Sequence, residues 1–463
     1  MKLIYNIETK PKEMGYLKTV LFALQQLLAI MAATIAVPAI INQGTGANMS
    51  ASAALFGAGV GTLVYLAFTK LKSPVFLGSS FAFIRSMLAA FAGGVSMSVG
   101  YLGLILGAIF AGLVYVILAV VVKFVGVNWI NKLMPAVVIG PTVAIIGLSL
   151  AGNAIGDLTK GSVLAFDPAV LNFVPTASPY VALVCGLVTL FITILCSIYG
   201  KKTVKMIPFI LGILAGYAVA TVFTVIGTLT DNASLLVIDF AKFENIQWIP
   251  EFAFLKAFDG EMKFGDLGSL GAYIGTIAVA YVPVAFVVFA EHIADHKNLS
   301  TIIDHDLLEE PGLHRTLLGD GVGSMVGAIF GGCPNTTYGE SVGCVAITRN
   351  ASVRTIITAA VGAMIIAFIN PFVAFVNSIP SCVMGGVCMA LYGFIAVSGL
   401  KMIQKVDLEE NANLFTASVI LIAGIGGLAL TFGKVTLTSI ACALILGILT
   451  NIMLSGKKNK EEE

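Results

Sequence analysis

Charge is scarce in this 463-residue chain: Asp, Glu, Lys and Arg together make up 11%, against about 25% in an ordinary soluble protein. With 58% hydrophobic residues and a mean hydropathy of +0.98, a soluble core is excluded, since it cannot absorb that much apolar surface. An excess of one sign is missing too. A net charge of +1 excludes a nucleic-acid binder, which needs a concentrated basic face. No Cys-x-x-Cys or comparable metal spacing occurs, so neither a metal nor another cofactor is expected. The seven cysteines, at 185, 196, 333, 344, 382, 388 and 442, are odd in number and mostly sit in apolar runs. Buried free thiols are therefore expected rather than a disulfide framework.

What is abundant is apolar sequence in runs of about 20 residues, the length that crosses a bilayer as a helix. Twelve such runs lie near 20–42, 52–69, 99–122, 134–153, 179–199, 206–228, 269–290, 316–332, 355–377, 382–399, 412–431 and 435–454. Residues 1–19 are polar, and because many runs follow the first, that run reads as a span and not a cleaved signal. Two shorter, glycine-rich and polar-interrupted stretches, Leu77 to Gly94 and Cys333 to Thr348, supply two further crossings. Fourteen crossings put both termini on one face. Of the 26 lysines and arginines, twenty then fall on that face and only Lys160, Lys242, Lys256, Lys263 and Lys434 fall opposite, while Arg85 lies within a span. The positive-inside rule makes the termini cytoplasmic, in a cell membrane. Residues 229–268 become an external loop, 292–315 a cytoplasmic connection, and 456–463 a cytoplasmic tail.

The two interrupted stretches are each third in a set of seven, the first covering 20–228 and the second 269–455. Seven is odd, so the second set enters the membrane upside down, the inverted-repeat plan in which broken elements meet near the midplane to form a transport site. The expected fold is thus an all-α polytopic membrane protein with short extended stretches in segments 3 and 10. Polar, helix-breaking sequence survives at membrane depth only where it is buried in protein or lines a cavity. The run Cys333-Pro-Asn-Thr-Thr-Tyr-Gly-Glu340 places Pro334, two threonines and a carboxylate there. Packing does not account for Glu340, whereas Gly78 and Ser79 fit either close helix packing or a ligand-facing backbone.

At these residues the chain resembles the nucleobase-ascorbate transporter family. The likeness runs through Gln25-Gln26-Leu27-Leu28-Ala29, Phe76 to Ile84, Ala290-Glu291-His292, Pro311-Gly312-Leu313-His314-Arg315, Pro334 to Glu340 and Met384-Gly385-Gly386. It implies seven-plus-seven inverted repeats, a core domain and a gate domain each drawn from both repeats, often a homodimer, and proton-driven uptake of a nucleobase, with uracil favoured. Carried over residue by residue, it implies that Glu291 and Glu340 bond the base, that the amides of Tyr338 and Gly339 face its carbonyl, that Phe81 packs on the ring and that Ala33 lies beside it. Uracil has two N–H donors and two carbonyl acceptors on a flat ring, which suits carboxylates, amides and an aromatic face.

Three positions depart from the pattern. Ser341 stands where the family usually has Asn, and Asp295 where uracil permeases have a histidine coupled to the proton, so xanthine, urate or another base stays open as the substrate. Glu340 pulls back toward uracil, since the purine branch typically has Gln there. Glu291 and Asp295 are four residues apart and share a helix face, where two close carboxylates oppose double ionisation and point to proton coupling. Arg85 replaces a small residue; it is expected to snorkel, to sit in a hydrated pocket or to pair with a carboxylate, Asp295 foremost. A channel or a membrane enzyme would need a polar stripe or a metal constellation. His292, His296, His305 and His314 fall in or beside 292–315 and read as solvated.

Overall fold

The computed structural model describes residues 3–126, 128–149, 151–167, 172–201, 204, 208–243, 249–369, 371, 374–375, 378–432, 435–437 and 439–461. Lys2, Lys202, Lys205 and Lys434 of the charge count lie outside them. In chain order come α1 (Pro11–Met14), α2 (Tyr16–Thr45), α3 (Ala51–Phe68), strand β1 (Leu77–Ser79), α4 (Ile84–Ala90), α5 (Met97–Val125), α6 (Asn128–Leu133), α7 (Ala136–Ser149) and α8 (Ala151–Asp157). A hairpin of β2 (Leu164–Asp167) and β3 (Asn172–Pro175) precedes α9 (Pro179–Tyr199), α10 (Pro208–Leu229) and α11 (Ala253–Phe258). Then follow α12 (Leu270–Ile303), α13 (Leu313–Gly331), β4 (Asn335–Thr337), α14 (Gly339–Thr348), α15 (Val353–Ile366), α16 (Ser381–Ile403) and α17 (Asn411–Ile425). The hairpin β5 (Leu430–Phe432) and β6 (Val435–Leu437) leads into α18 (Ser439–Glu461).

Among the described residues seven helices are long and apolar enough to cross a membrane: Ala51–Phe68, Met97–Val125, Ala136–Asp157, Pro179–Tyr199, Pro208–Leu229, Leu270–Lys297 and Ser381–Ile403. The chain is a multi-pass membrane protein. Serines open several of these helices by accepting a backbone N–H of the first turn, Ser50 from Ala53, Ser96 from Val99 and Ser269 from Ala272, which satisfies donors the helix itself leaves free.

Two packing groups emerge. In one, α13 lies against α3 and α5, α12 against α5, and α15 against α2 and α3. In the other, α16 lies against α7 and α9, α10 against α9, and α17 against α7 and α18. They touch where α12 meets α7 and α18, and where α2 meets α10 and α16. The α3–α13 crossing is close because it lacks side chains: a Cβ on Gly57 would stand 2.3 Å from the Gly327 carbonyl oxygen, the small-residue contact that membrane helices use.

One sequence expectation needs correction. The apolar run ends near 290, yet α12 continues as one helix to Ile303. Residues 292–303 are therefore no connection: His292, Asp295 and His296 find hydrogen-bond partners inside the protein. The stretch 229–268, expected as an external loop, contains α11, which packs on α5, and Ser96 Oγ donates to the Glu261 carbonyl at 2.7 Å.

Candidate functional site

Extended backbone at membrane depth carries peptide groups that lipid cannot satisfy, and here the two interrupted segments satisfy one another. Strand β1 pairs antiparallel with β4, in the register Leu77 to Thr337, Gly78 to Thr336 and Ser79 to Asn335. The Ser80 amide donates to the Pro334 carbonyl at 2.9 Å, just beyond the paired residues. Flanking helices fix the pair from both sides. Thr62 Oγ1 of α3 accepts the Leu77 amide at 2.9 Å, Ser324 Oγ of α13 accepts the Asn335 amide at 3.0 Å, and Asn335 Nδ2 donates to the Gly57 carbonyl at 3.2 Å. Tyr338 closes the crossing by donating its hydroxyl to the Ser79 carbonyl at 2.7 Å. Its ring covers Gly78, where a Cβ would come within 2.4 Å of Tyr338 Cε2, so no side chain fits there.

Each strand runs toward a short helix. Helix α14 starts at Gly339 straight after the crossing, whereas a 3-10 turn, Phe81–Phe83, separates β1 from α4. The first turn of a helix presents free N–H groups and a positive dipole end, and Glu340 sits in that turn of α14, half-buried. Helix α12 runs beside β4 and α14 and brings two further half-buried carboxylates, Glu291 and Asp295. Asp295 Oδ2 accepts from Thr337 Oγ1 at 3.1 Å, and its Oδ1 would be 3.8 Å from a Cβ on Gly339. Glu291 and Asp295 are four residues apart on α12, and Glu340 opens the helix that α12 runs beside.

The other expected residues sit as follows. Phe81 is buried and meets Tyr392 of α16 edge-on at 5.5 Å, so it touches the second packing group. Ala33 is fully buried in α2. Ser341, also fully buried, accepts the Phe76 amide at 3.0 Å and the side-chain amide of Gln26, which ties α14 to the residue before β1 and to α2. Arg85 is exposed on α4. The ion pair expected between Arg85 and Asp295 is not formed: among the described residues no carboxylate pairs with Arg85, and Asp295 takes Thr337 instead.

His292 and His296 overturn a second expectation, since both are 0% exposed. His292 Nδ1 is 2.7 Å from Asp320 Oδ2 and its Nε2 is 3.0 Å from Thr316 Oγ1. His296 Nδ1 donates to the His292 carbonyl at 2.8 Å, and Tyr65 OH lies 2.7 Å from His296 Nε2 and 2.7 Å from Ser73 Oγ. The sequence offered two signals for this network. The histidines recur at a spacing of four beside Glu291 and Asp295, and Asp320 interrupts a run of small residues in α13. Among the described residues no three His, Cys, Asp or Glu side chains group as metal ligands.

Residues 17–432 match the family model Xan_ur_permease, described as a permease family. The chain belongs to the nucleobase-ascorbate transporter family. It is 38% identical over 448 residues to a uracil permease of Bacillus subtilis, covering 96% of this chain and 94% of that one. It is 37% identical to a uracil permease of Bacillus caldolyticus over 95% and 93%, and 33% identical to one of Escherichia coli over 93% and 90%. Among solved structures, the transmembrane domain of a cyanobacterial bicarbonate transporter, BicA, matches with a TM-score of 0.58 at 13% identity over 97% of this chain and 99% of that one. SLC26A9 matches with a TM-score of 0.64 at 12% identity, over 96% and 66%. These likenesses establish the transporter fold. Family members are permeases, and this chain is a transporter, not an enzyme.

Proposed function

We propose that this nucleobase permease carries uracil into the cell together with a proton, by alternating access across the plasma membrane. One observation supports it most: the antiparallel β1–β4 crossing sets the start of α14, with Glu340, beside Asp295 of α12, in a chain that is a third or more identical to uracil permeases over nearly its whole length. Uracil lies at that crossing. Glu291 and Glu340 accept its two N–H groups, the amides of Tyr338 and Gly339 donate to a carbonyl, Phe81 covers the ring and Ala33 borders it. Each charge-assisted bond contributes roughly 1.5–3 kcal/mol. The proton is shared between Glu291 and Asp295, one turn apart on α12, while Ser341 supports the site by holding the Phe76 amide and the Gln26 side chain.

The two packing groups act as the moving parts. The group built on α2, α3, α5 and α12 to α15 holds the base, and the group built on α7 to α10 and α16 to α18 forms the gate, the two drawn from inverted repeats of seven crossings at 20–228 and 269–455. Both termini face the cytoplasm. Single cysteines at positions 234 and 455 in a cysteine-free background should then label from outside and inside respectively; labelling from one side would overturn the fourteen-crossing plan.

The deciding experiment is uptake of radiolabelled uracil into vesicles with an imposed proton gradient, competed by unlabelled uracil, xanthine and urate. Acid-outside stimulation with competition by uracil alone is expected. Competition by xanthine or urate at equal strength would move the substrate to the purines, which Asp295 allows.

A further inference from the structure

We propose that residues 3–9, ahead of the first membrane helix, are a strap that positions the half-helix α14, and with it Glu340, for substrate binding. The functional part of this inference rests on the uracil-site reading above. A helix as short as α14, Gly339–Thr348, is marginal by itself and takes its place from what grips it. Its C-terminal end is capped by Arg349 in the left-handed region, φ 55°. The Arg349 carbonyl accepts the amides of both Ile4 at 2.9 Å and Tyr5 at 3.3 Å. The contact continues as a short parallel ladder. Ala351 donates to the Tyr5 carbonyl at 2.9 Å, Val353 to the Ile7 carbonyl at 3.2 Å, and Ser352 Oγ to the Thr9 carbonyl at 2.7 Å. The bridge is centred on Tyr5 and Asn350.

The strap is itself anchored. The Tyr5 ring meets Phe22 of α2 edge-on at 5.9 Å. One turn further along α2, the Gln26 side chain bonds Ser341, the residue after Glu340. The N-terminal segment therefore holds α14 at both ends, through Tyr5 at the C-terminal end and through Gln26 at the end that carries the carboxylate. Loosening the first grip frees the C-terminal end of α14 and leaves the Gln26–Ser341 bond and the packing on α2 and α12. Among the described residues the strap's outward hydrogen bonds and ring contact go to 349–353 and Phe22 and to no residue assigned to the base, so it acts through α14.

The test compares wild type with two variants: one in which residues 3–9 are replaced by a Gly/Ser sequence of equal length, and Tyr5→Pro, which removes one amide donor. Hydrogen exchange is read at residues 339–353, and uracil affinity, KM and maximal rate are measured on the same preparations. Faster exchange at 344–353 in both variants is expected. The exchanged segment should also weaken uracil binding roughly tenfold, the loss of about 1.4 kcal/mol, as a rise in KM with the maximal rate within about twofold. Tyr5→Phe, which keeps both the amide and the ring, should match wild type. Unchanged exchange at 344–353 in the replaced variant overturns the strap, whatever the ligand. Faster exchange with uracil affinity unchanged within about twofold overturns its positioning role. The exchange measurement needs no ligand, so a failure of the uracil reading would show separately, as no uracil binding by wild type.

Discussion

The two interrupted segments, 77–90 and 335–348, share a backbone plan and divide the chemistry. Each is a three-residue strand followed by a short helix, and the strands pair in antiparallel register. The first brings Ser79, Ser80 and Phe81 to the crossing and delays its helix by a 3-10 turn, and its one charge, Arg85, follows that turn on α4 and is exposed. The second starts its helix at once and puts Glu340 in the opening turn, one residue beyond Gly339. A shared backbone plan thus carries unlike side chains: Phe81 on the first arm, and Glu340 at a helix start on the second.

Removing the charge from the second arm should have the largest effect. Glu340→Ala, and with it Glu291→Ala from the neighbouring helix, should each weaken uracil binding by roughly ten- to over a hundredfold, since in the proposed binding mode each leaves a base N–H without its charged acceptor. Equilibrium binding on detergent-purified protein reads this, with thermal unfolding as the control for an intact fold. Binding by Glu340→Ala within about threefold of wild type would mean that the second arm does not hold the base.

Coupling is the next difference. Thr337 of the second strand donates to Asp295, and nothing on the first arm engages a carboxylate of α12 through a hydrogen bond among the described residues. Asp295→Asn should leave exchange of base for base largely intact and abolish the gain in accumulation from an acid-outside gradient, as measured in vesicles. Full gradient-driven accumulation by that variant would move the coupling proton elsewhere, the buried His292 and Asp320 pair beside Glu291 being one candidate.

The glycines of the two arms differ in the room around them. Gly78 of the first strand lies under the Tyr338 ring, with 2.4 Å left for a Cβ, while a Cβ on Gly339 would meet Asp295 at an ordinary 3.8 Å. Gly78→Ala should therefore destabilise by roughly 1–3 kcal/mol, because the Tyr338 ring has to move off the hydroxyl bond it makes to Ser79. Gly339→Ala should unfold at the wild-type temperature within about a degree or two. Equal unfolding temperatures for the two variants would show that the first arm is no tighter than the second.

Much of this arrangement was legible because lipid punishes polar sequence. Glycine, proline and hydroxyl clusters at 77–94 and 333–348 stand out against runs of about 20 apolar residues, and Glu340 among them has no packing explanation. Helix α12 was not legible at its far end, because hydropathy falls at Glu291 and a falling hydropathy looks the same whether the helix leaves the membrane or buries its polar groups against partners. The partners come from distant sequence: Asp320 and Thr316 for His292, Tyr65 for His296, Thr337 for Asp295. Tyr392 was missed for the same reason, since only the fold brings α16 to Phe81.

Arg85 gives the smallest expected effect and the last test of the comparison. Two departures from the family pattern, Arg85 and Asp295, invite the idea that each compensates the other. In that case Arg85→Ser and Asp295→His would each impair transport, and their combination would restore it. The fold argues otherwise. Arg85 is exposed and Asp295 is bonded to Thr337, so removing the guanidinium leaves no buried carboxylate unpaired. An exposed charge without a close partner contributes little, about 0–1 kcal/mol even when paired at a surface. Arg85→Ser alone should thus bind uracil within about fivefold of wild type, the ratio that 1 kcal/mol allows. In the double-mutant cycle its effect should add to that of Asp295→His with an interaction energy below about 0.5 kcal/mol. Restored transport in the double variant would show that the two arms and α12 are coupled through Arg85 in another state of the transport cycle.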